Sequence, residues 1–141
     1  MLLQKRDIDR YIYKKVGGNK MKITVPVNEK SLEGSVCQVF ARAPYFLIFD
    51  TDTNERVFMK NDAAESQGGA GPKAAQFVVD QKTDALLVPR CGGKAADVLD
   101  AAHIDIYKVK GVSVIENIEA HIAGKLSVLD EIHPGFHNHG K

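Results

Sequence analysis

Alternating apolar and polar side chains define the first half of the chain. Residues 22–27 (Lys-Ile-Thr-Val-Pro-Val) place every second apolar side chain on one face, which predicts a strand. Residues 45–50 form a continuous apolar run, which is typical of a buried central strand. Residues 55–60 alternate again after the polar cluster at 50–54, so we predict an antiparallel hairpin of the second and third strands.

The second half of the chain has helical periodicity instead, interrupted by short apolar runs. Ser113-Val-Ile-Glu116 has the form of a capping box, so a helix should begin near Val114, and Gly124 should end it. The other predicted helices are 73–82 and 94–102, and the predicted fourth and fifth strands are 84–88 and 104–109.

The order of these elements predicts an α/β fold. A meander of three strands followed by helix–strand crossovers gives a mixed sheet with helices on both faces. The right-handed crossover rule places the fourth strand beside the first and the fifth outside it. We therefore expect a ribonuclease H-like five-stranded sheet of order 3-2-1-4-5, in which strand 2 is antiparallel.

A glycine-rich loop precedes the first helix. Residues 67–73 (Gln-Gly-Gly-Ala-Gly-Pro-Lys) contain Gly68, Gly69 and Gly71, and we expect Pro72 to occupy the first helical position. A bare loop at a helix N-terminus exposes backbone N–H groups that suit an anionic ligand. The alternative is a tight strand-to-helix connection without a ligand, because the loop matches neither of the common phosphate-binding patterns.

Three loops should meet at one edge of this sheet, because the strands before them point the same way. They are a long loop with Cys37 and Arg42, the glycine loop, and the loop with Arg90 and Cys91. Ligands of open α/β sheets favour this edge. We expect the helix dipole and Arg90 to lower the pKa of Cys91 and favour its thiolate. Two inert buried thiols are the alternative.

Composition narrows the classes of function. The chain has 141 residues, which fits one domain, and its net charge of +1 argues against nucleic-acid binding driven by charge. No apolar run approaches the length of about 18 residues that suggests a membrane span. The N-terminus carries no secretory signal, so we expect a cytoplasmic protein without a structural disulfide.

Both ends of the chain differ from its middle. Residues 1–20 carry six of the basic side chains and end near Gly17-Gly18-Asn19, which predicts an N-terminal extension outside a core domain of residues 21–141. The flexible tail expected at about 130–141 contains His133, His137 and His139. These imidazoles are candidate metal ligands, and a solvated tail is the alternative.

Hydrolytic chemistry has little support. The first strand contains no carboxylate to hold the metal of a nuclease. Cys91 could act as a nucleophile with a tail histidine, but no nucleophile elbow is present. The chain has no Cys-x-x-Cys pair, which excludes a metal site built from four of its own cysteines. The two thiols could therefore hold a cluster only at the surface.

Several motifs together resemble the dinitrogenase iron–molybdenum cofactor biosynthesis family of nitrogenase accessory proteins. The motifs are Met21-Lys-Ile-Thr-Val-Pro-Val, Val36-Cys-Gln-Val-Phe-Ala-Arg-Ala-Pro-Tyr-Phe46, Gly68-Gly-Ala-Gly71, Pro89-Arg-Cys-Gly92 and His133-Pro-Gly-Phe-His137. The resemblance implies a ribonuclease H-like fold without nuclease activity and a role in binding or carrying iron–sulfur or iron–molybdenum cofactor precursors. It assigns Cys37 and Cys91 as candidate ligands, with the tail residues His133, His137 and His139 as further candidates. Ala41 departs from the glycine expected before Arg42.

Three hypotheses follow from these observations. The first is a monomeric, non-enzymatic metallocluster-binding protein, whose partners are a cluster precursor and the proteins that donate or accept it. Its cofactor-binding residues would be Cys37, Arg42, Gly68, Gly69, Gly71, Arg90 and Cys91, with no catalytic residues. The second is a module that binds another anionic ligand or a protein without metal. The third is a thiol-dependent enzyme that uses Cys91.

Deletion of residues 1–20 tests the predicted domain boundary. If these residues form an extension, the deletion leaves the melting temperature close to that of the full chain. A large fall in melting temperature, measured by circular dichroism, would show that the segment belongs to the core.

Overall fold

The computed structural model describes residues 21–129. The predictions for residues 1–20 and for the tail from about 130 onward lie outside this range. Five strands and three helices occur within it, each close to its predicted position. The strands are β1 (Lys22–Val27), β2 (Tyr45–Asp50), β3 (Arg56–Lys60), β4 (Ala85–Val88) and β5 (Asp105–Lys108). The helices are α1 (Ala70–Asp80), α2 (Gly93–Ala101) and α3 (Val114–Ile122).

The strands form one mixed sheet of order β3-β2-β1-β4-β5, which confirms the predicted order. β2 is antiparallel to both β1 and β3, whereas β4 is parallel to β1 and to β5. The ribonuclease H-like label itself stays a prediction. The arrangement follows from the connections, because a hairpin gives antiparallel neighbours and each helical crossover gives a parallel one.

Each face of the sheet packs against helices, as predicted. α1 and α2 cover one face and α3 covers the other, because successive residues of a strand point to opposite sides. The first core cluster, beneath α1 and α2, contains Phe40, Ala43, Phe46, Ile48, Ala63, Ala74, Ala75, Val78, Leu86, Val88, Cys91, Ala95, Ala96, Leu99, Ile104 and Leu129. The second core cluster, beneath α3, contains Ile23, Val25, Val27, Val36, Leu47, Phe49, Leu87, Val114, Ile115, Ile118 and Leu126.

The boundaries of α1 differ from the prediction. The helix begins at Ala70, so Gly71 and Pro72 lie in its first turn and Pro72 is not the first helical residue. Gly69 is the N-cap and has φ +70°. The earlier start is possible because the first helical N–H groups need no intrahelical partner, so a proline in the first turn costs no hydrogen bond.

The predicted capping box of α3 is confirmed. The backbone N–H of Glu116 donates to Ser113 Oγ at 3.2 Å. Gly124 follows the helix with φ +74°, the left-handed conformation that ends many helices. Within residues 21–129 no helix is long and apolar enough to cross a membrane.

α3 carries a partly buried histidine that contacts the last strand. The rings of His121 and Tyr107 meet edge to face with centroids 4.6 Å apart. Burial lowers the pKa of His121, and the nearby carboxylate of Asp105 opposes this by raising it. The folded protein therefore binds a proton at His121 less readily than the unfolded chain does.

We predict that acidification weakens the fold through His121. Because the pKa of His121 is lowered in the folded state, unfolding is accompanied by uptake of a proton at pH values between that pKa and the ordinary value of about 6.5. The free energy of unfolding should fall as the pH drops through this window. Urea titrations at several pH values should show a smaller fall for His121→Phe, which keeps the ring packing without the titration.

His103→Asn is the matched control for this prediction. His103 is exposed and has φ +61°, a conformation that asparagine tolerates. This variant should keep the pH dependence of the wild type. Equal pH dependence in His121→Phe and wild type would contradict the assignment to His121.

Candidate functional site

The candidate site lies at the sheet edge where β1, β3 and β4 end. The loop after β1 stays attached to its strand, because the N–H of Cys37 donates to Pro26 O at 2.8 Å. A short 3₁₀ turn, Phe40–Arg42, then packs Phe40 into the first core cluster. The long loop is therefore anchored near Cys37 and again at Phe40.

Arg42 joins this loop to the segment before the glycine loop. Its Nη1 donates to the carbonyl oxygens of Ala64 and Ser66, both at 2.7 Å. These two carbonyls belong to, or directly follow, the second 3₁₀ turn, Asp62–Glu65. The guanidinium thus holds in place the backbone of residues 64–66, just before the glycine loop.

Asn61 makes a second connection between the same segments, and sequence analysis did not single it out. The side chain is 2% exposed, and its Nδ2 donates to Ala41 O at 3.0 Å and Ala43 O at 2.9 Å. Its Oδ1 accepts from the N–H of Ala63 at 3.1 Å. The available signal was an asparagine that follows a strand and begins a polar turn, which is typical of capping.

The glycine loop leads directly into α1 without a side-chain cap. Gly69 caps the helix through its backbone conformation alone. A Cβ on Gly68 or Gly69 would meet no atom within 4 Å, so the surface of this loop is open. Gly69 is required for its positive φ, which other residues adopt at a cost of about 1–2 kcal/mol.

The N-terminus of α2 lies beside that of α1. A Cβ on Gly71 would lie 3.7 Å from the Cβ of Ala95, so the first turns of the two helices are in contact. The N-cap of α2 is Gly92, which also contributes no side-chain hydrogen bond. Two positive helix ends without side-chain caps therefore meet at the predicted edge.

The prediction of a lowered pKa for Cys91 is wrong. The side chain is 1% exposed and belongs to the first core cluster. Burial raises the pKa of Cys91 to about 11, so the thiol is protonated at neutral pH. Loss of hydration is the cause, because an apolar environment penalises the charged form of the thiol.

Cys37 lies against the same cluster but is more accessible. Its side chain is partly buried, and its Sγ donates to Val39 O at 3.5 Å. Both cysteines are free thiols that pack beneath the same edge. Arg90 is exposed in the loop that precedes Cys91.

Metal ligands are sparse in the part of the chain that is described. Across residues 21–129, no group of three or more histidine, cysteine, aspartate or glutamate side chains is arranged to hold a metal ion. The predicted ligands His133, His137 and His139 lie outside the described residues.

An open groove of about 450 Å³ lies between α1 and the second 3₁₀ turn. Lys73, which donates to Ser66 Oγ at 3.2 Å, lies on one of its walls. The other lining residues are Asn61, Asp62, Ala63, Ser66, Gln76, Phe77 and Asp80. None of the predicted site residues lines this groove, although Ser66 and Lys73 flank the glycine loop.

Residues 21–124 match the family model described as dinitrogenase iron–molybdenum cofactor. An uncharacterised protein of Methanocaldococcus jannaschii is 28% identical over 109 residues, which cover 75% of this chain and 89% of that protein. The sequence similarity thus extends over nearly all of the described residues.

Solved structures share the fold over most of their length. The apo form of the orange protein from Desulfovibrio gigas has a TM-score of 0.74 at 27% identity, covering 78% of this chain and 93% of that one. A proposed NifB protein from Thermotoga has a TM-score of 0.70 at 32% identity, covering 85% and 99%.

We predict that Asn61→Ala destabilises the protein by about 2–4 kcal/mol, because it leaves one buried and one partly buried carbonyl oxygen and one buried N–H without their partner. Chemical denaturation measures this change. Gln76→Ala is the control, since that amide is exposed and donates to Asp80 Oδ1 at 2.9 Å. The control should change the free energy of unfolding by less than about 0.5 kcal/mol. Equal effects of the two substitutions would refute the structural role of Asn61.

Proposed function

Because the chain belongs to the dinitrogenase iron–molybdenum cofactor family, we propose that it binds or carries a metallocluster of iron–sulfur or iron–molybdenum type, or its precursor. The cluster is cargo and the protein is not an enzyme. It acts as a cytoplasmic monomer between proteins that donate and accept the cargo. Its two free thiols suit a reducing compartment.

The contact between the N-termini of α1 and α2 is the observation that carries this proposal. Neither helix has a side-chain cap, and the surface of the bare glycine loop beside these two helix ends is open. Clusters built from sulfide or oxide ligands are anionic at their surface. Backbone N–H groups at two helix ends stabilise such charge without a metal–protein bond.

The two cysteines take different roles in this proposal. Cys37 presents a partly accessible thiol beside the edge and contacts the cargo directly. Cys91 stays neutral and buried, where its side chain supports the start of α2. This division accounts for a site with few metal ligands among residues 21–129, because the cargo keeps its own inorganic ligands.

The structural neighbours support a role of this kind. An apo form is the state of a protein without its bound group, and the orange protein has been solved in that form. The Thermotoga neighbour is a proposed NifB protein and is 32% identical to this chain. Both neighbours are identical to this chain at more than a quarter of the aligned positions, so the comparison extends beyond the fold.

A metal-free anion is the second candidate cargo. The raised pKa of Cys91 and the sparse ligand set favour it, because hydrogen bonds to N–H groups do not require a metal. In this alternative the thiols are packing residues. The same raised pKa removes the support for a thiol-dependent enzyme that uses Cys91.

Anaerobic loading tests the two candidates. The protein is incubated with iron and sulfide, or with an isolated cluster precursor, and bound metal is followed by absorption and EPR spectroscopy. We expect the wild type to retain a cluster and Gly69→Ala to bind about tenfold more weakly, because the strained loop misplaces its N–H groups. Gly124→Ala, which introduces the same kind of strain at the end of α3, is the matched control and should bind like the wild type.

Cys37→Ser separates the candidates. A changed EPR spectrum or lower metal retention in this variant supports contact between the thiol and a cluster. Featureless spectra for the wild type and the variant reject a cluster. Binding of molybdate or sulfate that Gly69→Ala weakens and Cys37→Ser leaves unchanged would instead support a metal-free anion.

A further inference from the structure

The two outer edges of the sheet differ in how they are protected. At β5, the chain itself covers the edge: Lys108 N–H donates to Ser127 O at 2.9 Å, and Leu129 N–H donates to Ile106 O at 2.8 Å. At β3, no other segment of residues 21–129 pairs with the outer side. A strand edge that stays open is a template for a further strand.

The register identifies the backbone groups that form this open edge. Hydrogen bonds from Asp50 N–H to Glu55 O at 2.9 Å and from Asn61 N–H to Pro44 O at 3.1 Å bracket the β2–β3 pair. In an antiparallel pair, hydrogen-bonded and non-hydrogen-bonded positions alternate. The N–H and C=O groups of Arg56, Phe58 and Lys60 therefore point away from β2.

The same three residues also place their side chains on one face. Phe58 packs partly against the second core cluster, and Lys60 is exposed. The guanidinium of Arg56 lies 5.5 Å from the centre of the Phe49 ring and donates to Asn54 O at 2.9 Å, which fixes its position. The open edge thus presents a row of cation, aromatic ring and cation.

This row disfavours pairing with a second copy of the chain. Antiparallel pairing about Phe58 would place Arg56 directly opposite Lys60 of the other copy. Like charges at facing positions destabilise a strand pair. An added strand with acidic side chains at those two positions would gain from the same geometry.

We propose that the outer edge of β3 binds an extended segment of a partner protein with the pattern acidic–x–apolar–x–acidic. The apolar residue faces Phe58 and the two carboxylates face Arg56 and Lys60. The main-chain hydrogen bonds supply affinity, and the cross-strand pairs supply selectivity. On the other face of the strand, Val57 is 52% exposed and offers apolar contact to the intervening residues.

The location of β3 gives strand addition a role in the transfer of cargo. β3 runs toward the edge of the sheet that holds the glycine loop, so a bound segment would end near the candidate cargo site. A donor or acceptor held there would be close to the cargo. This role rests on the proposed function, whereas strand addition itself does not.

A palindromic peptide, Ser-Glu-Thr-Val-Thr-Glu-Ser, tests the proposal without any cargo, so its result is independent of the loading experiment. It matches the pattern in parallel and antiparallel orientation. Titration into the full chain, followed by amide NMR shifts, should move the signals of Arg56–Lys60 first. A peptide with lysine in place of both glutamates should bind several-fold more weakly.

Substitutions at Lys60 separate charge from backbone pairing. Lys60→Gln should weaken binding of the glutamate peptide by about two- to fivefold, the range of a cross-strand ion pair. Lys60→Pro also removes an outward N–H that β2 does not use, so it should weaken binding further while the β2–β3 pair persists. Lys108→Gln, at the end of the covered edge strand, should bind the peptide like the wild type.

Several outcomes would overturn the proposal. These are absence of binding, equal binding of the lysine peptide, shifts that centre on β5, and unchanged affinity in Lys60→Pro. Broadening of the Arg56–Lys60 signals that depends on protein concentration, without peptide, would show that a second copy occupies the edge instead.

Discussion

The parallel alignment of β1, β3 and β4 is the constraint on which the candidate site depends. The strands that precede the Cys37 loop, the glycine loop and the Cys91 loop all run toward the same edge. The alignment is maintained because β1 is buried on both faces, between the two core clusters. Residues more than fifty positions apart, such as Cys37 and Cys91, thereby pack beneath one edge.

The sequence was sufficient to predict the sheet, because its signals are local and repeat along each element. Apolar runs and helical stripes locate the strands and helices, and handedness then leaves few ways to connect them. The start of α1 was harder to predict. Gly71 suggests a loop by composition and Pro72 suggests the first helical position, yet the first turn of a helix accepts both because its N–H groups need no intrahelical partner.

Burial explains where prediction of the site was wrong or incomplete. Sequence places Cys91 before a helix and beside Arg90, both of which favour a thiolate, but it does not show that the side chain is 1% exposed. Loss of hydration then has the larger effect and raises the pKa. Asn61 was missed for a related reason, since its importance comes from carbonyls some twenty positions away.

Cys91 and Asn61 change which groups at this edge of the sheet can contact a ligand and which hold the edge in place. With Cys91 buried and neutral, the accessible groups at this edge are the Cys37 thiol and the backbone of two helix N-termini, which meet without side-chain caps. Asn61 and Arg42 hold the neighbouring segments in place and direct their donors to backbone carbonyls. In the proposed carrier role, the N–H groups hold the cargo without bonds to metal, so that apart from a contact with Cys37 the cargo leaves without breaking such a bond. Reversible release is what a carrier requires.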